Sequence, residues 1–522
     1  MGVQISGTTV IDDSRNMRNM ATVTATSFHG DGSGFTNLPA SGGTITATAS
    51  GSISNGDPVV INTDGKVGIV TGTTITEGVG SEVVHHSGAI YDGGQAVVYD
   101  TANDKVVVFY DDGNYLNAKV GTVSGTSISF GSEQEAYDGT STGGPRKINA
   151  IYEPNSGKIL FSYGRSTNNL HINVATVSGS TLSFGTSVEV LNQRSDYQAL
   201  ATDGSGKTVI IYADDNDNNY GFAKVVTLSG NTISLGSATT VFGADYTFDL
   251  AAAYDASVDK FFFFMASGNS GGKVRGNVGS VSGTTLTVGT VADVDTSARD
   301  TAAQYDPVAQ RIIIAYSKYS TSGGRARVVK LSSSDNSFTF GDTLTTESSG
   351  FADNNKLEYH TAANKMILAY FHNDGADDDG FIRVLTADTD NESLSSSDKF
   401  YFNGDPGSIN GGIYMAYDPD TSQIALIYAD QDNSNYGTTR MYKPGYNDSN
   451  FRRFIGFSDA AYSNGNTATI QIVGATDDAQ TGLSTGGKFF VQFDGTLSTT
   501  ADSDATIVAG KALSATEILI GE

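Results

Sequence analysis

Residues 95–110 read QAVVYDTANDKVVVFY, two apolar runs on either side of a short polar stretch. The first run ends in Tyr99-Asp100 and the second ends in Tyr110. Runs of β-branched and aromatic residues bounded by Asp and Asn are typical of strands joined by a tight turn. This stretch therefore predicts a β-hairpin.

The same pair of motifs occurs seven times along the chain, each as an aromatic–acid strand end and then an apolar strand that usually ends in Tyr. The copies are Tyr99-Asp100 to Tyr110, Tyr152-Glu153 to Tyr163, Thr202-Asp203 to Tyr212, Tyr254-Asp255 to Met265, Tyr305-Asp306 to Tyr316, Tyr359-His360 to Tyr370, and Tyr417-Asp418 to Tyr428. Tyr110, which ends the second strand of the first copy, and Tyr428, which ends that of the last copy, are 318 residues apart. These 318 residues span six intervals, so the repeat has a period of 53 residues. We expect the repeated acid to cap the turn that follows it and the repeated Tyr to pack between strands.

The early copies continue with a third strand, a Ser-Gly turn such as Val123-Ser124-Gly125-Thr126, and a fourth strand. Four antiparallel strands in about 50 residues are typical of a β-propeller blade, and Gly, Asn and Asp interrupt every window long enough for a helix. The repeat therefore predicts an all-β chain with a seven-bladed β-propeller, and a linear β array is the alternative.

The seventh copy lacks its own fourth strand after Lys443, whereas a matching segment precedes the first copy. We expect a strand within residues 74–86 to complete the last blade and close the ring, because closure removes an exposed sheet edge. The predicted propeller covers residues 84–445.

The flanks of the ring carry short alternating strands and the turn signals Asn464-Gly465 and Asp494-Gly495. Because a closed ring brings its ends together, residues 46–83 and 446–522 are predicted to form one small split β-barrel into which the propeller is inserted. Residues 1–45 are too polar and too few for a core of their own, which predicts an extended N-terminal arm used in attachment or assembly.

The composition excludes several classes of protein. The 522 residues contain no Cys and no Trp, so disulfides, thiolate metal sites and cysteine nucleophiles are absent. With 31 Lys+Arg against 57 Asp+Glu, the net charge of −26 disfavours binding to nucleic acid or to an anionic membrane surface. The chain also lacks an apolar run long enough for membrane insertion.

Catalytic motifs are missing: the six His form no His-Glu-x-x-His pattern, and neither a nucleophile elbow nor a phosphate-binding loop occurs. We therefore expect a protein that is not an enzyme and has no catalytic residues. Because glycoside cleavage needs only two facing carboxylates, a glycan hydrolase or lyase is the alternative.

The loops after the second strands vary while the strands repeat, which favours them as binding sites. Their predicted ligand-binding residues, suited to a glycan, are Tyr115, Tyr220, Tyr436, Asn219 and Asn435. Two of these loops contain several carboxylates close together in sequence, which could supply the oxygen ligands that Ca²⁺ requires. The predicted calcium ligands are Asp214, Asp215, Asp217, Asp430 and Asp432. A solvated loop without metal is the alternative, and no other cofactor is expected.

Residues 28–39, FHGDGSGFTNLP, resemble a motif of tail fibres and other virion proteins of bacteriophages, notably those of cyanobacteria and marine bacteria. The residues that carry the resemblance, and that it implies lie in a virion-attachment segment, are Phe28, Gly30, Asp31, Phe35, Asn37 and Pro39. Residues 482–514 are similar to the C-terminal part of such phage structural proteins.

This resemblance implies a virion structural protein on the surface of a phage tail or capsid. The arm would bind other virion proteins, the chain would form a homotrimer, and the propeller would bind a host cell-surface glycan or protein without covalent chemistry. The alternatives are a capsid decoration or head-fibre protein with a structural or weak adsorption role, and a polysaccharide-degrading tail-spike enzyme.

Overall fold

The computed structural model describes residues 3–5, 8–11, 43–90, 93–140, 144–165, 169–243, 246–268, 272–318, 323–331, 337–373, 378–388, 392–403, 409–502 and 505–521. These residues form an all-β protein whose one helical segment is the 3₁₀ turn Phe451–Arg453. Within these ranges, no helix has the length and apolar character needed to cross a membrane. The chain divides into two compact units, residues 74–448 and residues 1–73 with 449–522, so the first is inserted in sequence between the two parts of the second.

In residues 74–448 the described strands form seven sheets, numbered here 1 to 7, each with four antiparallel strands in series and a short fifth strand beside the third. The first strands are Gln95–Asp100, Pro145–Glu153, Gln198–Thr202, Thr247–Asp255, Ala298–Asp306, Phe351–His360 and Ile409–Asp418. The second strands are Lys105–Asp111, Lys158–Arg165, Lys207–Asp214, Lys260–Ser267, Arg311–Lys318, Lys365–Asn373 and Gln423–Asp430. The third strands are Tyr115–Ser124, Asn169–Ser178, Tyr220–Ser229, Val274–Ser282, Gly324–Leu331, Asp378–Asp388 and Tyr436–Lys443.

The outer strands are shorter. The fourth strands are Ser127–Phe130, Thr181–Phe184, Thr232–Leu235, Thr285–Val288, Phe338–Phe340, Ser393–Ser396 and, for sheet 7, Gly78–Val79. The fifth strands are Gln134–Asp138, Val188–Leu191, Thr239–Phe242, Ala292–Asp295, Leu344–Thr345, Phe400–Tyr401 and, for sheet 7, Val83–Ala89. The sequence pattern did not predict these fifth strands, which pair with the third strand alone.

The second strands are buried on both faces because neighbouring sheets pack against each of them. In sheet 1 the strand Lys105–Asp111 is buried from its second residue onward. Phe109 of sheet 1 stacks on Phe161 of sheet 2 with 4.8 Å between ring centroids. Continuous apolar runs, rather than alternating ones, are what such two-sided burial requires.

The first strands of the seven sheets contact one another in series, and that of sheet 7 contacts that of sheet 1. Sheet 7 is composite: Val79 pairs with Tyr442, and Val84 pairs with Thr438. The prediction that a strand from residues 74–86 completes the last sheet is therefore confirmed. The inserted unit begins at residue 74, rather than at 84, because both of these strands belong to it. Four-stranded antiparallel sheets repeated in series are consistent with a propeller.

The repeated acids cap the hairpins between the first and second strands, as predicted. Asp306 Oδ1 accepts hydrogen bonds from the backbone N–H groups of Val308 and Ala309, each at 2.9 Å. Equivalent bonds to backbone N–H groups are made by Asp100, Glu153, Asp203, Asp255 and Asp418. In sheet 6 His360 takes this place, and its Nδ1 accepts from the N–H of Ala363 at 3.0 Å.

The repeated tyrosines hold neighbouring sheets together, which confirms their predicted packing role. The hydroxyl of Tyr417 in sheet 7 accepts hydrogen bonds from Thr361 Oγ1 at 2.9 Å and from the N–H of Ala362 at 3.3 Å in the hairpin of sheet 6. At the end of a second strand, the buried Tyr316 donates to Asp295 at 2.9 Å.

The flanking unit contains two five-stranded sheets in its described residues. The strands of one sheet, in spatial order, are Thr44–Thr48, Thr467–Gln471, Phe454–Ser458, Pro58–Ile61 and Val67–Ile69. The strands of the other, in spatial order, are Thr476–Asp477, Ile518–Ile520, Val508–Ala512, Lys488–Val491 and Leu497–Ser498. The first sheet combines both flanks of the inserted unit, as predicted, whereas the split barrel remains a prediction.

The remaining strands are short. Val3–Ile5 pairs with Thr8–Ile11 near the N-terminus, and Gly72–Ile75 and Tyr446–Ser449 run through the two unit boundaries. The predicted attachment residues Phe28, Gly30, Asp31, Phe35, Asn37 and Pro39 lie outside the described residues.

Candidate functional site

The first strands define two ends of the inserted unit. In sheet 1, Gln95 at the start of the first strand pairs with Tyr110 near the end of the second strand. In sheet 3, Asp214 at the end of the second strand pairs with Tyr220 at the start of the third strand. The loops between second and third strands therefore lie at the end where the first strands begin, here called the loop end. The capped hairpins lie at the other end, here called the hairpin end.

A cavity of about 300 Å³ occupies the centre of the ring at the loop end, where the first strands surround it. Its polar and charged lining includes Lys147, Asn149, Gln198, Asp249, Thr301, Asn354, Lys356 and Tyr414. A concave site with a few convergent polar groups is the usual form of a small-ligand site.

Five first strands are bulged where they reach this cavity, in sheets 2, 4, 5, 6 and 7. The bulged residues other than glycine that have positive φ are Lys147 at 48°, Asp249 at 43°, Asp300 at 53° and Asn354 at 52°. Asp and Asn tolerate the left-handed region better than most residues, and a bulge changes the direction of a side chain. The residue types at these bulges therefore suit a backbone that points polar side chains in directions different from those of a regular strand.

Carboxylates from three successive sheets lie near one guanidinium, and we call Asp249, Arg299, Asp300 and Asp353 the carboxylate cleft. Nη2 of Arg299 donates to the two oxygens of Asp353 at 2.8 and 2.9 Å. Nε of Arg299 lies 2.9 Å from Asp300 Oδ2. The backbone N–H of Asp300 donates to Asp249 Oδ2 at 3.3 Å.

Neighbouring groups fix this arrangement. Asn355 Nδ2 donates to the carbonyl of Asp300 at 3.1 Å and to that of Ala352 at 2.7 Å. The hydroxyl of Thr301 donates to the carbonyl of Asp249. The guanidinium of Arg299 lies 5.1 Å from the ring centroid of Phe351, on which it stacks.

The protein environment separates the carboxyl groups in acidity. Burial raises the pKa of Asp300 well above its ordinary value, and the charges of Asp249 and Asp353 raise it further, against the opposing effect of Arg299. Burial also raises the pKa of Asp249, while the N–H of Asp300 and the charges of Lys356, Arg299 and Lys147 lower it. Burial and the neighbouring carboxylates therefore favour the protonated form of Asp300 more strongly than that of Asp249.

An aromatic cavity of about 680 Å³ adjoins the cleft. Asp249, Arg299 and Asp300 line it together with Tyr197 and Phe248, and Asp249 and Tyr197 also line the central cavity. The ring of Phe248 meets that of Tyr197 edge-on with 5.3 Å between centroids. Carboxylates that accept hydrogen bonds from hydroxyls therefore lie beside an aromatic wall.

The predicted loop tyrosines are at the loop end, on three separate sheets. Tyr115, Tyr220 and Tyr436 each begin a third strand, in sheets 1, 3 and 7, and each is half-buried. Tyr220 pairs with Asp214 and Tyr436 pairs with Asp430 across their own hairpins. A common ligand platform of these tyrosines remains a prediction.

The two predicted asparagines form turns. Asn219 and Asn435 have φ of 54° and 61°, in the left-handed region. The carbonyl of Asn219, a buried residue, accepts from the N–H of Thr247 at 2.9 Å, and that of Asn435 accepts from the N–H of Ile90 at 3.0 Å. Their backbones thus join the loops to the following or closing strand.

The acids proposed for Ca²⁺ bind their own loops. Asp214 Oδ1 accepts from the N–H of Asn216 at 3.0 Å, and Asp430 Oδ1 accepts from the N–H of Asp432 at 3.1 Å. The carboxylate of Asp215 lies 3.6 Å from Arg194 Nε, and Asp217 donates its N–H to the carbonyl of Asp214. In the described part of the chain, no three His, Cys, Asp or Glu side chains form a group that could hold a metal ion. Calcium binding remains a prediction from the sequence.

The sequence analysis missed the carboxylate cleft, although a signal was present. The repeats differ in residue type at one fixed position. This position lies five residues before the aromatic residue of each Tyr–acid motif, or five residues before Thr202 in the third copy. The residues at this position are Gly94, Lys147, Tyr197, Asp249, Asp300, Asn354 and Gly412. Variation at one fixed position of an otherwise regular repeat was the mark of a site.

No protein family model matches the chain, and no curated protein is similar to it in sequence. Solved structures similar to it include a putative 6-phosphogluconolactonase from Bacteroides uniformis, at 11% identity over 59% of this chain and 85% of that one, with a TM-score of 0.41. A protein from Lactobacillus plantarum is 13% identical over 62% of this chain and 86% of that one, with a TM-score of 0.42. The GH93 α-L-arabinofuranosidase of Fusarium graminearum, solved with arabinobiose, is 10% identical over 70% of this chain and 97% of that one, with a TM-score of 0.40. At these TM-scores the likeness carries no argument about activity.

Proposed function

We propose that the chain is a bacteriophage virion appendage protein whose seven sheets form a seven-bladed β-propeller that binds a host-surface glycan at the carboxylate cleft. The observation that carries this proposal is that Asp249 lines both a polar central cavity and an aromatic cavity, the second of which Arg299 and Asp300 also line. The flanking unit, as a small split barrel, and residues 1–45 would provide attachment.

A glycan fits this site by its chemistry. Sugar hydroxyls donate to carboxylates and accept from Lys and Asn, while the apolar faces of sugar rings stack on aromatic side chains. The cleft supplies Asp249 and Asp300, the central cavity supplies Lys147 and Lys356, and Phe248 supplies the stacking surface. The cavity volumes suit a few sugar residues rather than a protein surface.

The assignment to a virion is supported by the resemblance of residues 28–39 and 482–514 to phage structural proteins. In a homotrimer, several weak glycan sites would act together, since linked sites raise the effective concentration of each. We propose other virion proteins as partners of the arm, the virion surface as the location, and a host glycan or protein as the partner of the propeller.

The binding site is tested by titration calorimetry of the full chain with the tightest ligand from an array of bacterial surface glycans. Phe248→Ala should weaken binding about fivefold, because one stacking contact contributes about 1 kcal/mol. Val308→Ala, at an exposed hairpin tip at the opposite end, is the control and should bind as the wild type does. Equal affinity of the Phe248 variant, with loss in Tyr220→Ala, would move the site to the loops.

Attachment is tested by deleting residues 1–45 and purifying phage particles that carry the truncated protein. The truncated chain should stay soluble, bind glycan and fail to enter particles. Normal incorporation would contradict the role of the arm. Tomography that places the protein on the capsid would favour the decoration or head-fibre role over a tail appendage.

A further inference from the structure

The carboxylate cleft contains more than glycan binding requires. Three carboxyl groups come from three successive sheets: Asp300 and Asp353 share the guanidinium of Arg299, and Asp249 accepts the backbone N–H of Asp300. A binding site would be served by ionised acceptors alone, whereas here burial and the neighbouring carboxylates raise the pKa of Asp300. A protonated carboxyl beside an ionised one is the arrangement that enzymes use to divide acid and base roles.

We propose that the carboxylate cleft hydrolyses glycosidic bonds, with Asp300 as the general acid and Asp249 as the general base. This inference rests on the proposed glycan-binding function and assigns chemistry to the same site. It replaces the expectation that the chain has no catalytic residues.

The step uses water as its co-reactant. Asp300 gives its proton to the glycosidic oxygen while the bond between that oxygen and the anomeric carbon breaks. The oxygen of a water molecule bonds to the anomeric carbon, and Asp249 takes the proton that the water loses. One bond forms to the sugar, one breaks, one water is consumed, and a new reducing end appears.

A second observation, independent of the acids, points to a ligand in the central cavity. Gln198 lines this cavity and is 6% exposed. Its Nε2 donates to the carbonyl of Lys147, while its buried Oε1 has no hydrogen-bond partner among the described residues. A buried acceptor left unpaired costs free energy that a donor on a bound molecule would recover.

Arg299 and Asp353 are positioning residues in this proposal. Asp353 is 7% exposed and its two oxygens bind Nη2 of Arg299, which directs Nε of that residue toward Asp300. The ion pair therefore holds the side chain of Asp300 at the aromatic cavity, which Asp249 also lines.

The test measures new reducing ends when the full chain is incubated with its tightest array glycan, and compares this with a 2,4-dinitrophenyl glycoside of the same sugar. Asp300→Asn should slow cleavage of the glycan by about a hundredfold to ten-thousandfold, the range that general acid catalysis contributes. The dinitrophenyl glycoside should lose less than about tenfold, because its leaving group departs without a proton. Asp342→Asn, at an exposed site between the fourth and fifth strands of sheet 5, is the matched control.

Each outcome decides between the two proposals. Binding without any new reducing end overturns the catalytic inference and leaves the binding function standing. Equal slowing of both substrates by Asp300→Asn also overturns it, since a merely structural residue would act on both. Because the two substrates are compared in one protein preparation, incomplete folding of the variant would not imitate the expected result. Absence of binding to every array glycan overturns the proposed function itself.

Discussion

The seven first strands carry regular chemistry at the hairpin end and irregular chemistry at the loop end. At the hairpin end, six tyrosines from six different sheets line a cavity of about 670 Å³. They are Tyr99, Tyr152, Tyr254, Tyr305, Tyr359 and Tyr417. At the loop end the corresponding residues differ from sheet to sheet and include acids, a lysine, an asparagine and glycines.

Under the proposed function, this difference separates the residues that stabilise the fold from those that bind the ligand, along the same strands. Where every sheet needs the same contact with its neighbour, the sequence repeats, as in the caps made by Asp306 and its equivalents. Where one asymmetric ligand must be held, the sheets have to contribute different groups. Crowding Asp249, Asp300 and Asp353 at one place costs stability, which is common at active sites.

The largest effect is expected from removing the cation of the cleft. Arg299→Met leaves the buried Asp353 without its partner, and loss of one member of such a pair typically costs about 3 kcal/mol. Urea unfolding should show this loss, while Arg146→Met, at an exposed arginine of sheet 2, should change little. A variant as stable as the wild type would mean that Asp300 and Asp353 are not held together by this guanidinium.

Asp300→Asn should act on stability in the opposite direction. The substitution removes one of three crowded carboxyls, so the free energy of unfolding should stay the same or rise slightly. Glycan cleavage should fall sharply in the same protein. A marked loss of stability would assign this aspartate to the structural class of the hairpin end.

A cap at the hairpin end should behave in the reverse way. Asp306→Ala removes the acceptor of two backbone N–H groups and should lower the free energy of unfolding by about 1 to 2 kcal/mol. Glycan affinity, measured by calorimetry, should not change. Weaker glycan binding in this variant would show that the two ends are not functionally separate.

Loss of one inter-sheet hydroxyl should have a smaller effect. Tyr417→Phe keeps the ring but removes the acceptor for Thr361 and for the N–H of Ala362. We expect the free energy of unfolding to fall by about 1 kcal/mol. Thermal unfolding that matches the wild type would assign the contact between sheets 6 and 7 to packing alone.

The smallest effect concerns pH and the one hairpin capped by histidine. Burial lowers the pKa of His360 below its ordinary value of 6.5, and the charge of Lys443 lowers it further, against the opposing effect of the hydrogen bond to the carbonyl of Ser422. Since the unfolded chain gains this proton first, the contribution of His360 is complete above pH 6.5 and is lost as pH falls toward its folded pKa. His360→Asp should lose less stability than the wild type between pH 7 and pH 5, by under about 1 kcal/mol.

Comparing the variant with the wild type separates the effect of this histidine from that of buried acids whose contribution to stability changes with pH in the opposite direction. Burial raises the pKa of Asp111 to about 6 and that of Glu358 to about 8, so both favour the folded state as pH falls. They act alike in both proteins. Identical pH dependence of the wild type and the variant would exclude a role for the His360 cap.

The sequence predicted features that depend on nearby residues. Apolar runs around the Asp306 turn fixed the hairpins, and the missing strand after Lys443 led to the closing segment before the first copy. The fifth strands could not be predicted, because segments as short as Leu344–Thr345 become strands only beside a third strand already in place. The loop tyrosines were placed correctly at one end, yet their sequence pattern could not show that they lie on separate sheets.

By itself, the sequence determined the repeating hairpins, the caps and the order of the sheets, because strand pairing across a short turn depends on patterns within about a dozen residues. Only the tertiary structure brought together Asp249, Asp300 and Asp353, which lie about one repeat apart and belong to different sheets. The ring places equivalent or adjacent positions of successive sheets side by side, and the bulges turn Asp249 and Asp300 from the regular strand pattern. A pattern read along one strand carries no information about either effect.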